Sequence, residues 1–163
     1  MTNAETLTMT TPSDREVQVT RVFKAPRQMV FKALTTPDVL KRWMHGPDGW
    51  TLALCEMDLR VGGAFRYVWK KANGGEMGMG GVFREIAPPE RIVHTELFDE
   101  DWTGGETVVT TTLTEHGATT TLTLTILYAS KAARDQALET NFAAGMEAAY
   151  RALDDLLASP ARA

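Results

Sequence analysis

Alternating apolar and polar positions mark a series of β-strands along most of the chain. The first strand is predicted over about 16–24, where Val17, Val19, Arg21 and Phe23 share one face. Later segments repeat this alternation, and short turns rich in glycine or proline join them, which indicates an antiparallel sheet. These further strands are predicted over 50–58, 64–70, 77–86, 91–98, 107–115 and 118–127.

Helical patterns follow the first strand and end the chain. Two short helices are predicted after the first strand, each with a proline near its start, Pro26 and Pro37. The segment from Ser130 to about Ala158 has an apolar stripe at helical spacing, with Ser130 as the expected N-cap. At 1.5 Å per residue this segment predicts one helix of roughly 40 Å, long enough to cross the inner face of a sheet.

The elements together predict an α+β fold in one domain over 15–160. The expected sheet is curved and antiparallel, has about six or seven strands, and wraps around the long C-terminal helix. Residues 1–14 are polar, rich in threonine and aperiodic, so we expect a mobile N-terminal tail there. Ten threonines lie between Thr107 and Thr125, and they are expected to form the solvent-facing side of the last two strands.

Several sequence blocks resemble AHSA-type domains, which are relatives of the activator of the heat-shock chaperone ATPase. These domains belong to the START-like, pollen-allergen-like SRPBCC superfamily. The resemblance covers about 16–158 and implies a helix-grip fold with a cavity between the long helix and the sheet. The chain differs at Met146, where many members carry Trp. The similar blocks are 23–27, Leu40-Lys41-Arg42-Trp43 before Gly46-Pro47, 58–67, 81–86 and 88–93.

Composition and charge exclude several classes of function. The 163 residues carry a formal net charge of −4, so no general attraction to nucleic acid or to an anionic membrane is expected. The apolar runs are too short to span a bilayer and the first residues lack a signal-peptide pattern, so we expect a cytoplasmic protein. Because Cys55 is the single cysteine and no nucleotide motif or metal-ligand spacing occurs, neither metal nor cofactor is expected.

His94 and Glu96 are the weak candidates for catalysis. They lie two residues apart on one predicted strand and therefore project from the same face. On the inner face, the pair would form an acid–base or polar-recognition site in an apolar cavity. On the outer face, it would be a solvated contact, and the pattern leaves both possibilities open.

Aromatic residues in phase on the strand over 64–70 favour a cavity with aromatic walls. Such walls suit a small, mainly apolar or aromatic ligand. The expected ligand-binding residues are Trp43, Phe65, Tyr67, Trp69, His94, Glu96, Phe98, Phe142 and Met146.

Three functions stay open from the sequence. The first is binding of a small, mainly apolar ligand in the cavity. The second is a cavity enzyme with cyclase- or hydrolase-like acid–base chemistry, as in some members of the superfamily. The third is a chaperone-linked regulatory protein, as the family's name implies. Sheet edges and the methionines Met77 and Met79, expected to be exposed, are compatible with a homodimer.

Overall fold

A computed structural model of the protein describes residues 6–45 and 49–159. The helices are α1 (Arg27–Thr35), α2 (Pro37–Trp43), α3 (Lys131–Leu138) and α4 (Phe142–Ala158). The strands are β1 (Thr8–Thr10), β2 (Glu16–Phe23), β3 (Trp50–Met57), β4 (Ala64–Lys71), β5 (Glu76–Ala87), β6 (Arg91–Phe98), β7 (Thr107–His116) and β8 (Thr119–Leu127).

Every neighbouring pair of strands in the sheet is antiparallel, in the order β1-β2-β8-β7-β6-β5-β4-β3. The seven predicted strands and the two short helices are confirmed. The predicted break at Gly46-Pro47 lies outside the described residues. The α+β architecture with a curved antiparallel sheet and a C-terminal helix is the expected helix-grip fold.

An eighth strand, β1, forms within the segment expected to be a tail. Its residues pair with β2, with Met9 opposite Val19, and the Leu7 amide donates a hydrogen bond to Glu147 on α4 at 2.9 Å. The interpretation of 1–14 as a tail is therefore wrong for this part. Three residues are too few for alternation to be visible, and threonine alone does not distinguish an edge strand from a polar loop.

The predicted single C-terminal helix is divided into α3 and α4. Ser130 caps α3 as expected, because its hydroxyl accepts a hydrogen bond from the Ala133 amide at 3.0 Å. The chain then breaks at Asn141, whose φ of 57° is left-handed and incompatible with a continuous helix. Leu138 and Phe142 keep helical spacing on either side of the break, so the apolar pattern of the sequence does not reveal it. The 17 residues of α4 span about 25 Å.

A buried arginine fastens α4 to the inner face of β2. The Arg21 side chain is fully buried and forms two hydrogen bonds with Asp154, at 3.1 and 2.7 Å, and one with Glu147 at 3.4 Å. Its guanidinium also lies 5.0 Å from the Phe23 ring centre. Burial lowers the pKa of Arg21, but the two carboxylates more than offset this and raise it above its ordinary value. Arg21 therefore remains charged and fixes the position of α4 over the sheet.

The threonine-rich strands are not uniformly solvent-facing. On β8, Thr121, Thr123 and Thr125 are half-buried and alternate with Leu122 and its neighbours. Three other threonines lie in the interior, which corrects the expectation of a wholly wet face. These are Thr107, Thr111 and Thr120, with exposures of 2%, 6% and 0%.

Candidate functional site

A cavity of about 110 Å³ lies between the inner face of the sheet and the helices. Its aromatic lining residues lie on α2, β4, β5 and α4. Its aliphatic lining residues lie on α1, just after α2 and on the strands of the sheet. Apart from the Trp43 indole and the phenols of Tyr67 and Tyr150, the polar lining side chains are His94, Glu96 and Thr111. The other lining residues are Leu34, Trp43, Met44, Met57, Phe65, Tyr67, Met79, Phe83, Ile92, Leu122, Leu124 and Tyr150.

The aromatic wall follows from the alternation of β4. Phe65, Tyr67 and Trp69 are all buried on the inner face. The Phe65 ring centre lies 5.1 Å from that of Tyr67 and 5.3 Å from that of Phe83 on the next strand. These separations are typical of favourable aromatic pairs, so the wall is packed against itself.

His94 and Glu96 face the interior, which resolves the open question about β6. The His94 Nε2 and Glu96 Oε2 atoms are 2.9 Å apart, and 17% and 24% of the two side chains is exposed. The His94 ring packs edge-on against Phe65, with ring centres 5.2 Å apart. The pair is therefore a polar patch set into an aromatic wall.

The environment of His94 favours one tautomer. Its Nδ1 atom is buried and has no hydrogen-bond partner among the described residues. A proton on Nδ1 would be a buried donor without an acceptor, which is costly, whereas a proton on Nε2 can be donated to Glu96. The geometry thus favours an Nε2–H imidazole that orients the Glu96 carboxylate.

Tyr67 and Tyr150 add two phenol groups to the lining. Burial raises the pKa of both hydroxyls well above the ordinary tyrosine value, and the Glu96 carboxylate adds to the rise. Both groups therefore stay protonated near neutral pH and can donate hydrogen bonds. Tyr150 also packs against Phe23 and Trp43, with ring centres 5.4 and 6.2 Å apart, so its ring is held firmly.

Five of the nine expected binding residues line the cavity, and four do not. The five are Trp43, Phe65, Tyr67, His94 and Glu96. Trp69 instead donates its indole N–H to the Met44 carbonyl at 3.0 Å. Phe98 and Phe142 pack against Trp102, with ring centres 5.1 and 6.1 Å away, and Met146 packs against the core outside the cavity.

Tyr150 and Thr111 are the most informative residues missing from the sequence-based list. Tyr150 lies four residues after Met146, on the same stripe of α4, so helical spacing contained a signal for it. Thr111 lies between the buried Val109 and Leu113 on the same face of β7. Met79 was expected at the surface, but it is 4% exposed and lines the cavity.

Cys55 is a buried thiol that does not line the cavity. Burial raises the pKa of the Cys55 thiol to about 11, so the thiolate required of a nucleophile is scarce at neutral pH. Within residues 6–45 and 49–159, no group of three or more side chains has the arrangement of a metal site. No helix in the described ranges is long and apolar enough to cross a membrane.

A curved antiparallel sheet closed by a C-terminal helix around an internal cavity defines a helix-grip protein. Residues 24–158 match the family model described as "Activator of Hsp90 ATPase homolog 1-like protein". The chain belongs to this family.

Solved structures of similar proteins share the fold. A protein from Rhodobacter sphaeroides is 35% identical, with a TM-score of 0.89 over 94% of this chain and 98% of that one. Protein CV1439 from Chromobacterium violaceum is 26% identical, with a TM-score of 0.70 over 88% and 98%. Protein Ms6760 from Mycobacterium smegmatis, 24% identical with a TM-score of 0.82 over 94% and 98%, supports the fold alone. The comparison with curated proteins finds no match.

Proposed function

We propose that the protein binds one small, mainly apolar molecule in the cavity between the sheet and α4. The observation that carries this proposal is the lining, in which aliphatic and aromatic side chains surround a single His94–Glu96 pair. Such walls provide contact area, and a few polar groups fix orientation. The pair and the two phenols can provide that orientation.

The size of the cavity limits the ligand to about one ring. Its volume of about 110 Å³ is below the roughly 300–1,000 Å³ of drug-sized pockets. An apolar cavity of about 150 Å³ is large enough for benzene. Because this cavity is smaller, we expect at most about six or seven non-hydrogen atoms in the ligand, and methylenecyclohexane is a suitable apolar probe at that limit.

Filling the cavity should weaken binding of this probe. Thr111 lines the cavity from the middle of β7, and Thr111→Phe places a larger side chain in the same space. We expect the affinity for methylenecyclohexane to fall by about tenfold or more, at a stability cost of about 1–3 kcal/mol from overpacking. Ligand-observed NMR titration measures the affinity, and urea denaturation measures the stability.

Thr112→Phe is the matched control, because Thr112 is the next residue of β7 and lies on the opposite face. It adds the same side chain without entering the cavity, so its affinity should equal that of the wild type. Equal loss of binding in both variants would contradict a ligand site in this cavity. Failure of both methylenecyclohexane and its ketone counterpart, cyclohexanone, to bind the wild-type protein would contradict the proposed function itself.

Acid–base catalysis is a second candidate, favoured by the hydrogen bond between His94 and Glu96 inside the cavity. His94 accounts for Glu96 Oε2, and the described residues make no hydrogen bond to the other carboxylate oxygen. That oxygen can accept a proton from a carbon next to a ligand carbonyl and return a proton to the same carbon. The atoms balance without a cofactor, because the net change is exchange of one hydrogen with solvent.

Hydrogen–deuterium exchange at the carbons beside the carbonyl of cyclohexanone tests this candidate. We expect the protein to accelerate exchange in D₂O above the buffer rate. In Glu96→Gln, the protein-catalysed exchange rate should be lower by about 100-fold or more. Glu85→Gln is the control, since Glu85 is an exposed carboxylate paired with Arg91 outside the cavity. Exchange no faster than in buffer would eliminate this candidate while leaving ligand binding intact.

A further inference from the structure

Two tyrosines of the cavity wall carry hydroxyls that have no hydrogen-bond partner in the part of the chain that the structure describes. Tyr67 and Tyr150 both line the cavity, and neither hydroxyl hydrogen-bonds to any residue of the described ranges. Among the described residues, the side-chain nitrogens that are fully buried without a hydrogen-bond partner are His45 Nδ1 and His94 Nδ1, and no tyrosine oxygen is in this state. Each phenol oxygen therefore keeps some accessible surface, and both residues line the cavity.

The packing around these tyrosines does not require their hydroxyls. Phe65 and Trp69 flank the Tyr67 ring, with ring centres 5.1 and 5.8 Å away. The Tyr150 ring packs edge-on against Phe23. Phenylalanine would make the same ring contacts at both positions. A buried hydroxyl that lacks a hydrogen bond costs about 1–3 kcal/mol, so a purely apolar occupant would leave both groups unsatisfied.

The protonation states define what the occupant must offer. Both phenols remain protonated near neutral pH, because burial strongly raises their pKa values. The Glu96 carboxylate lines the same cavity, but within residues 6–45 and 49–159 it makes no hydrogen bond with either phenol. The two hydroxyls are therefore hydrogen-bond donors for which the ligand must supply the acceptor. A single carbonyl or hydroxyl oxygen can accept two hydrogen bonds.

Resting on the proposed ligand site, we infer that its ligand is a ring-sized molecule carrying one oxygen acceptor, which Tyr67 and Tyr150 recognise. This assignment selects cyclic ketones and alcohols over hydrocarbons of the same shape. It also separates the roles of the walls, because aromatic and aliphatic side chains supply contact and the phenols supply selectivity.

Cyclohexanone and methylenecyclohexane form the test pair, since they differ only by an oxygen in place of a CH₂ group. The measured quantity is the ratio of their affinities, from NMR titration, in the wild type and in Tyr67→Phe and Tyr150→Phe. Comparing ratios between proteins cancels the different hydration of the two probes. We expect each variant to lower the ketone-to-hydrocarbon ratio by about threefold to tenfold, the value of one hydrogen bond.

Tyr128→Phe is the matched control. Tyr128 is a buried tyrosine, its pKa is raised to about 12 by burial and by Glu96, and it does not line the cavity. Its variant should keep the wild-type ratio. A lowered ratio in either cavity variant, with hydrocarbon affinity retained, supports the inference.

An unchanged ratio in both cavity variants overturns the inference and leaves the proposed function standing. Failure of both probes to bind the wild-type protein overturns the proposed function. Thermal denaturation of each variant verifies folding, and loss of hydrocarbon affinity in a folded Tyr67→Phe or Tyr150→Phe protein also counts against a role confined to the oxygen.

Discussion

Replacing Arg21 with methionine should lower the free energy of unfolding by about 2–4 kcal/mol. The variant keeps much of the side-chain length. Of the ion pairs within residues 6–45 and 49–159, it removes the one that Asp154 makes and one of the two that Glu147 makes. It also removes the hydrogen bond to the Val22 carbonyl at 2.9 Å. Breaking a buried ion pair from one side costs about 3–5 kcal/mol. The value here is lower because 19% and 37% of the two carboxylate side chains is exposed.

Arg66→Met is the control for this prediction, because it breaks another two-pronged arginine–carboxylate pair at the surface. Arg66 binds Asp99 at 2.7 and 2.5 Å, but 40% and 54% of these side chains is exposed. Exposed pairs contribute about 0–1 kcal/mol. Urea denaturation of both variants gives the comparison, and equal losses would mean that burial does not determine the strength of the Arg21 pair.

The Arg21 variant should also affect the cavity. Arg21 holds α4 through Glu147 and Asp154, and Tyr150 lies between these two residues on the helix. Loosening of α4 would move the Tyr150 ring away from Phe23 and out of the cavity wall. Affinity for methylenecyclohexane should therefore fall together with stability in Arg21→Met but not in Arg66→Met.

Gly81→Ala should destabilise the fold by at least about 3 kcal/mol. A Cβ atom at this position would overlap the Thr95 backbone carbonyl and press against the Phe65 ring, 2.8 Å away. The neighbouring Val82 amide donates to the Thr95 hydroxyl at 3.0 Å, which holds β5 and β6 together at this point. Because backbone atoms cannot rotate away as a side chain does, the two strands must separate, which is one of the costly classes of substitution.

Gly145→Ala is the matched control and should have the opposite sign. Gly145 lies within α4, and nothing is within 4 Å of the position of its added Cβ. Alanine has the higher helix propensity and restricts the unfolded chain, so stability should rise by about 0.5–1 kcal/mol. Urea denaturation measures both, and a cost below about 1 kcal/mol for Gly81→Ala would show that the strands can absorb the methyl group.

Gly81→Ala should also change the geometry of the candidate site, because Thr95 lies between His94 and Glu96 on β6. Displacement of this strand would change the direction of both side chains and the 2.9 Å hydrogen bond between them. Gly78, Gly80 and Gly81 lie close together on β5, a pattern typical of a bulge or a close backbone approach. At Gly81 the structure shows the close approach and identifies the strand that requires it.

The spacing of apolar residues and the residues that begin helices determined most of the secondary structure from the sequence. Alternation located the strands from Glu16 to Leu127, and prolines and Ser130 located helix starts, because these signals depend on residues close together in the chain. The errors have the same origin. Three residues of β1 show too little periodicity, and the apolar spacing of Leu138 and Phe142 concealed the break at Asn141.

The membership of the cavity wall was decided by tertiary structure. Alternation showed that Ile92, His94 and Glu96 share a face, but a strand has two faces and only the docking of α4 makes one of them internal. Phe142 follows the same helical stripe as Tyr150, yet it packs against Trp102 and stays outside the cavity. The sequence alone determined which side chains lie together on each element. The packing of the elements on one another decided which of them enclose the space, because a cavity is bounded by residues far apart in the chain.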